Sequence, residues 1–399
     1  MNLLEIGKYL QAELIHIESN KSFKNIKMDS REIELGDLFL AYGKGIDYVH
    51  EALDKGAVAV ISDRFISKDI PTILVQDVLE ALASLAQLKR SKFKGRVIAI
   101  TGSNGKTTTK ELLKFLLSFD SSVLANFESE NNHIGVPKTL LKLNDSYDYV
   151  ILEMGMNHAG EIKHLSEIAN PDIGIITNIG SSHIGLLGSR KSIFKAKMEL
   201  VEATPTIKLF VNATDRYLKR IEANQVGLEY PPVSSVPAID VSLACKVCEY
   251  LGYEREELER RLSSFPGVKS RMQKILLKDN KLLIDDAYNA SYESVCFGLE
   301  SLARYEGKKL MIFGDILELG NFSERVHEKV YEEIQKYSDI SLITIGDATA
   351  SLKHKPHFYS IEELKEYLKD KTLKEYKVIY LKASHKMGIS RLVPYLENL

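Results

Sequence analysis

Three cysteines in 399 residues, Cys245, Cys248 and Cys296, cannot build an even disulfide framework. Cys245 and Cys248 have the spacing of half a metal site, yet no second pair or nearby His completes it, and both lie in the helical run DVSLACKVCEYL. Buried thiols are the expectation. An excess of one charge is also missing. The 53 Lys+Arg against 55 Asp+Glu leave −2, which predicts neither a basic nucleic-acid footprint nor an acidic tail. With 10 Pro and 24 Gly there is little room for collagen-like or disordered stretches. No apolar run approaches the ~18 residues of a membrane span. The amphipathic start MNLLEIGKYLQAEL lacks the charged-then-apolar order of a secretion signal. The expectation is a cytoplasmic protein with no nucleic-acid partner and no membrane insertion.

What is present is a folded α/β chain. Hydrophobic residues at 44% and charged residues at 27% are ordinary for a soluble protein, and at roughly 100–200 residues per domain the length predicts two or three domains. Short apolar runs alternate with helical stretches throughout. Residues 57–61 and 72–75 read as strands of a first unit, and 77–95 as a helix leading to a second. The second unit's buried-type strands are RVIAIT (96–101), DYVILEM (148–154) and DIGIITNI (172–179). After the turn-rich FPGVKSR (265–271), strands at 281–285, 309–315, 341–347 and 377–383 predict another open, mostly parallel sheet.

The strongest chemical signal is ITGSNGKTTT at 100–109, between a strand and the helical run KELLKFLLSF. Glycines let backbone N–H groups close around phosphates, Lys106 reaches the terminal phosphates, and a Thr hydroxyl can hold Mg²⁺. The bland reading is a glycine turn capped by Thr. Ile100 stands where the common phosphate loop has its first Gly, so this loop is a variant. Glu153 ends the apolar strand YVILEM, at the edge where open α/β sheets bind ligands, and is a candidate Mg²⁺ ligand. Asn157 and His158 follow in the same loop. His183, after the next strand, puts a third polar group on that edge.

In KSIFKAKMELVEA, Lys197 falls within the apolar arc of Ile193, Phe194, Ala196, Leu200 and Val201. A snorkelling Lys is the usual account. The sharper one is a desolvated amine open to carbamylation by CO₂. In the third unit, Asp285–Asn289 and Gly314–Gly320 each close a strand with polar residues, with Arg271 just before the first strand. Two such loops predict a second ligand-facing edge, able to close over the phosphate site.

TGSNGKTTTKELL (101–113), NNHIGVPKTLL (131–141), EMGMNHAGEI (153–162), TNIGSSHIGLLGS (177–189), AKMEL (196–200), DDAYNAS (285–291) and GDILELG (314–320) together resemble the Mur ligases, in the family's order and over nearly the whole chain. DSREIELGDLFLAYGKGIDYVHEALDKGAVAVIS (29–62) is similar to their uridine-nucleotide module. The resemblance implies a three-domain architecture: an N-terminal UDP-substrate domain (1–76), a central P-loop ATPase domain (77–266) and a C-terminal Rossmann-like domain (267–399). It implies a monomer that joins D-alanyl-D-alanine to UDP-N-acetylmuramoyl-tripeptide with ATP and two Mg²⁺ ions.

Carried over residue by residue, the resemblance makes Gly102, Ser103, Asn104, Gly105, Lys106, Thr107 and Thr108 the ATP loop and gives Thr107 and Glu153 one Mg²⁺. His183 and a carbamylated Lys197 would hold the second. Arg271 would lie near the γ-phosphate, and Asp286, Tyr288 and Asn289 would approach the nucleotide. Ser30, Arg31, Asn132, Asn157 and His158 would serve the substrates, with His158 also a candidate base for the attacking amine.

The sequence departs from the family in several places. His133 stands where an acidic residue is usual, and ESE (128–130) resembles an insertion. VPAID (236–240) puts Asp240 where an adenine-contacting Asn is expected. The chain between Asn212 and Pro237 is short, and KASHKMG (382–388) replaces a Lys-Gly-Ser-Arg-type run, leaving His385 without a role. Three other readings stay open: a third-residue-adding ligase, a folylpolyglutamate-type ligase, and a nucleotide-binding relative that has lost ligation. The DNPR-like and DYAHTP-like segments of the third-residue enzyme are absent.

Overall fold

A computed structural model of the chain describes residues 2–17, 21–127, 130–233, 236–369 and 373–398. Most of the apparent insertion at 128–130 lies outside them. Three sheets follow one another along the chain. The first runs, edge to edge, Glu13–Ile15, Thr72–Leu74, Ala59–Ser62, Leu38–Leu40 and Ile26–Lys27. All its neighbours are parallel except the first pair.

The second sheet is parallel throughout: Asn224–Val226, Lys208–Asn212, Ile173–Ile176, Arg96–Thr101, Tyr149–Glu153 and Val123–Ala125. Its central strands read as unbroken apolar runs because helices cover both faces. Accordingly, two separate cores form. One gathers Val97, Ala99, Leu152 and Ile162, and the other Ile98, Ile100, Leu113 and Val241. The short stretch between Asn212 and Pro237 leaves the three-residue strand Asn224–Val226 as this sheet's edge.

The third sheet places Val378–Lys382 between Leu282–Asp285 and Lys309–Gly314, followed outward by Ile340–Ile345 and His357–Phe358. Gln273–Leu276 adds an antiparallel edge, which the sequence pattern did not predict. The carboxyl ends of the three middle strands therefore bring Asp285–Asn289, Gly314–Gly320 and Lys382–Gly388 together.

The helix Val78–Lys92 starts with a clean cap, Asp77 accepting from the N–H groups of Leu79 and Glu80 at 2.7 and 2.9 Å. Val78, Ala81, Leu82 and Leu85 pack into the first sheet's core, whereas Ala83 and Ala86 pack into the second's. Cys245 and Cys248 are fully buried in the helix Ala238–Tyr250, and burial pushes both thiols up.

Candidate active site

The strand Arg96–Thr101 hands the chain to the helix Lys106–Leu117 through a turn only glycine permits. Gly102 has φ +151°, and a Cβ there would run into the Thr177 hydroxyl. Gly105 has φ +80°, and its Cβ would lie 2.5 Å from Asp240 Oδ1. Neighbouring loops brace the turn: Ser103 N–H donates to the Asn178 carbonyl at 3.0 Å, and Gly180 N–H to Ser103 Oγ at 2.9 Å. Lys106 folds back, its Nζ donating to the Gly102 and Ser103 carbonyls at 2.9 and 3.3 Å. Burial lowers its proton affinity.

Glu153 emerges from the adjacent parallel strand. Thr107 Oγ1 donates to its Oε2 at 2.7 Å and Asn131 Nδ2 to its Oε1 at 2.9 Å. Asn126 clamps its backbone, accepting from Glu153 N–H at 2.8 Å and donating to its carbonyl at 2.9 Å. Arg271 Nη2 reaches across to Thr107 Oγ1 at 2.7 Å, with its guanidinium 4.1 Å above the Tyr288 ring. The row Arg271–Thr107–Glu153 thus joins the third unit to the second. Two buried donors, Arg271 Nε and Asn104 Nδ2, have no partner among the described residues, the condition expected where an anionic ligand would complete the site.

These groups line a cavity of about 650 Å³. Ser103 to Thr108, Glu153, His183 and Arg271 are on its wall, as are Asp286, Tyr288, Asn289, Asn132 and Asn157. Gly102, Lys197, Ser30, Arg31 and His158 are not among the lining residues.

Their places are specific. Lys197 is 2% exposed, with burial and the charge of Lys106 holding its amine well below the ordinary lysine range. It does not snorkel. His158 Nδ1 lies 3.2 Å from Glu161 with its side chain 70% exposed. Asn132 Oδ1 accepts from Ile134 and Gly135 N–H at 3.0 Å, in the turn that leads into the helix Gly135–Leu141. Arg31 pairs with Asp29 at 2.6 Å on the surface, and buried Ser30 offers its carbonyl to Lys55.

Residues 100–236 match the Mur ligase middle domain. A UDP-N-acetylmuramoyl-tripeptide–D-alanyl-D-alanine ligase from Synechocystis is 32% identical, over 84% of this chain and 82% of its own length. The chain belongs to the Mur ligase family. A crystal structure of MurF from Acinetobacter baumannii superposes with a TM-score of 0.91 at 27% identity, covering 100% of this chain and 99% of that one. MurF from Thermotoga maritima in complex with ADP gives 0.85 at 27% identity, over 96% of this chain and 99% of that one.

Within this Mur ligase the third unit docks through several side chains. Ser291 Oγ donates to Asn104 Oδ1 at 2.9 Å, and Glu293 accepts from Ser181 Oγ at 2.7 Å and pairs with Arg190. Asp286 faces its own unit: Lys382 Nζ donates to Oδ2 at 2.6 Å, Tyr380 OH to the same oxygen at 2.9 Å, and Met272 N–H to Oδ1 at 3.1 Å. Lys382 lines the cavity while only 2% of its side chain is exposed. The His385 ring lies 5.1 Å from that of Tyr288. Sequence reading passed over Asn131, Lys382, Glu293 and Glu318 as individual groups. Only the polar strand ends that carry Lys382 and Glu318 could have signalled them.

Proposed function

We propose that this Mur ligase joins D-alanyl-D-alanine to UDP-N-acetylmuramoyl-tripeptide at the expense of ATP, making a peptidoglycan precursor. Relatives carrying that activity in their names match most of the chain, and the observation that carries the reading is the Arg271–Thr107–Glu153 row across the mouth of a phosphate loop. ATP would phosphorylate the terminal carboxylate of the tripeptide, and the dipeptide amine would displace phosphate from the acyl phosphate through a tetrahedral intermediate. Both partners in the first transfer are anions, so positioning and charge neutralisation are the protein's main work.

The loop N–H groups and Lys106 hold the phosphates, Lys106 leaving the carbonyls of Gly102 and Ser103 as they arrive. Arg271, fixed against Tyr288, neutralises the transferred group. Thr107 and Glu153 would hold one Mg²⁺ ion as hard oxygen ligands, and His183 with a carbamylated Lys197 would hold the other. When bound, such ions draw negative charge from the phosphoryl oxygens. Carbamylation needs a neutral amine, and the buried Lys197 has one within easier reach than an exposed lysine does. Ser30 and Arg31 are assigned to the uridine nucleotide, Asn132, Asn157 and His158 to the substrates, and Asp286, Tyr288 and Asn289 to the nucleotide side of the third unit. Units 1–76, 77–266 and 267–399 would work as a monomer in the cytoplasm, where ATP and the UDP-linked substrate are available.

The test is ADP release measured with each substrate omitted in turn, using tripeptide labelled with ¹⁸O in its terminal carboxyl. Release that needs both substrates, with label passing into inorganic phosphate, is expected. Bound nucleotide with no dipeptide-dependent release would favour the relative that has lost ligation, and hydrolysis with neither substrate would mark a plain ATPase.

A further inference from the structure

The guanidinium of Arg271 is held, among the described residues, by neutral groups alone. Nη2 donates to Thr107 Oγ1 at 2.7 Å, the group lies 4.1 Å over the Tyr288 ring, and buried Nε has no partner. An arginine already paired with a carboxylate would meet an arriving phosphoryl group largely neutralised, so the missing acid suits the work assigned to it. Something other than an ion pair must then aim the side chain.

The backbone does so. Arg271 N–H donates to the Val268 carbonyl at 3.2 Å and closes a four-residue turn, and the residues on either side of it are both left-handed, Ser270 at φ +52° and Met272 at φ +53°. Glycine takes that conformation freely; other residues keep it only when held. Ser270 is held by every polar group it has. Its Oγ donates to Asp285 Oδ2 at 2.7 Å, its N–H to Gln273 Oε1 at 2.9 Å, and its carbonyl accepts from Tyr288 N–H at 3.1 Å. The last of these bonds ties the turn to the residue whose ring carries the guanidinium. Met272 N–H is fixed by Asp286 Oδ1 at 3.1 Å.

Two adjacent carboxylates thus grip the neighbours of Arg271 and leave its charge alone. Asp285 is 2% exposed and ends the strand Leu282–Asp285, with Gln273 as its register partner on the edge strand. Its Oδ1 accepts from Ala287 N–H and Ser390 Oγ, both at 3.1 Å, so Oδ2 is the oxygen left for Ser270. Asp286 Oδ2 is likewise taken by Lys382 and Tyr380.

We propose that Ser270 and Asp285 are positioning residues for phosphoryl transfer: their hydrogen bond locks the turn in the one course that points an uncompensated arginine at the phosphate loop. The inference rests on the reading that puts Arg271 at the transferred group, and adds to it what sets that side chain's direction.

Steady-state ligation by the full-length protein, with ATP, Mg²⁺, UDP-N-acetylmuramoyl-tripeptide and D-alanyl-D-alanine, is compared for the wild type, Ser270→Ala, Arg271→Ala and the double variant. Ser270→Ala should lower kcat by about ten- to a hundredfold, with KM for ATP and for the UDP-linked substrate unchanged within about twofold. Arg271→Ala should lose at least about a hundredfold. Adding Ser270→Ala to it should cost no more than about a further twofold, because the turn then has nothing to aim. A wild-type kcat in Ser270→Ala overturns the proposal, and so does an equal loss in both backgrounds; either result leaves Arg271 at the phosphoryl group. A wild-type kcat in Arg271→Ala overturns the reading of Arg271 and this proposal with it. If Ser270→Ala does not fold, Asp285→Asn replaces it in the same cycle: the amide keeps an oxygen for Ala287 N–H and turns its NH₂ towards Ser270. A kcat loss that disappears in the Arg271→Ala background then supports the proposal, and no loss overturns it.

Discussion

Glu318 Oε2 lies 2.8 Å from His183 Nδ1, joining the Gly314–Gly320 loop of the third sheet to the edge of the second. Both residues have left-handed backbones, φ +63° each, a conformation that costs a non-glycine residue about 1 kcal/mol. The surrounding packing holds them there: Gly185 N–H donates to the Glu318 carbonyl at 3.3 Å, and the loop is anchored behind by Ile316 N–H donating to buried His327 at 3.0 Å. Glu318→Gln should therefore loosen docking while leaving His183 itself in place. Partly exposed polar contacts of this kind contribute about 1 kcal/mol or less, so a loss in kcat/KM of about fivefold at most is expected. Steady-state kinetics check it, and a loss of several hundredfold would give Glu318 a direct part in the reaction.

Lys106→Ala removes the cation from the phosphate loop. Ligation should drop by at least about a hundredfold, while affinity for the UDP-linked substrate, assigned to another unit, stays within about twofold. Parallel kinetic and binding measurements separate the two, and near-normal turnover would remove Lys106 from the transfer step.

For Lys197→Ala the expectation is near-complete inactivity, partly restored by formate or acetate diffusing into the space of the missing carbamate. The wild type incubated with ¹³C-bicarbonate should give a carbamate carbon resonance that the variant lacks. An active variant and no such resonance would together end the second metal-ligand assignment.

Asp286→Ala strands Lys382 in a buried site. Removing one partner of such a pair costs about 3–5 kcal/mol, to be read from urea unfolding. The double variant Asp286→Ala/Lys382→Met should recover a large part of that, because the uncompensated charge goes with it. If the double variant is no more stable than the single one, Asp286 stabilises the fold by a route other than Lys382.

Much of the fold could be read in advance because the second sheet is covered on both faces. Its inner strands, Arg96–Thr101 and Tyr149–Glu153, are continuous apolar runs, and the polar residue closing each one marks the ligand edge. The short edge strands Ile26–Lys27, Asn224–Val226 and His357–Phe358 carry too few residues for any periodicity to register. Lys106, Glu153 and Arg271 were legible from local pattern and resemblance. By contrast, the choice of Asn131 to face Glu153 while Asn132 accepts from the Ile134 N–H depends on the path of the turn between them, and the Lys382–Asp286 pair depends on two strands being neighbours. Lys197 shows both sides of this. Its place in an apolar arc was visible, but only packing tells a buried amine from one whose stem lies along the surface.

The helix Val78–Lys92 contributes apolar side chains to two cores at once. A seam opening along it would expose both, which ties the first two sheets together. A swing of the third unit would then pivot on the other junction, the turn 265–271, which delivers Arg271 to the phosphate loop. The stroke that shuts the chamber would also set its arginine.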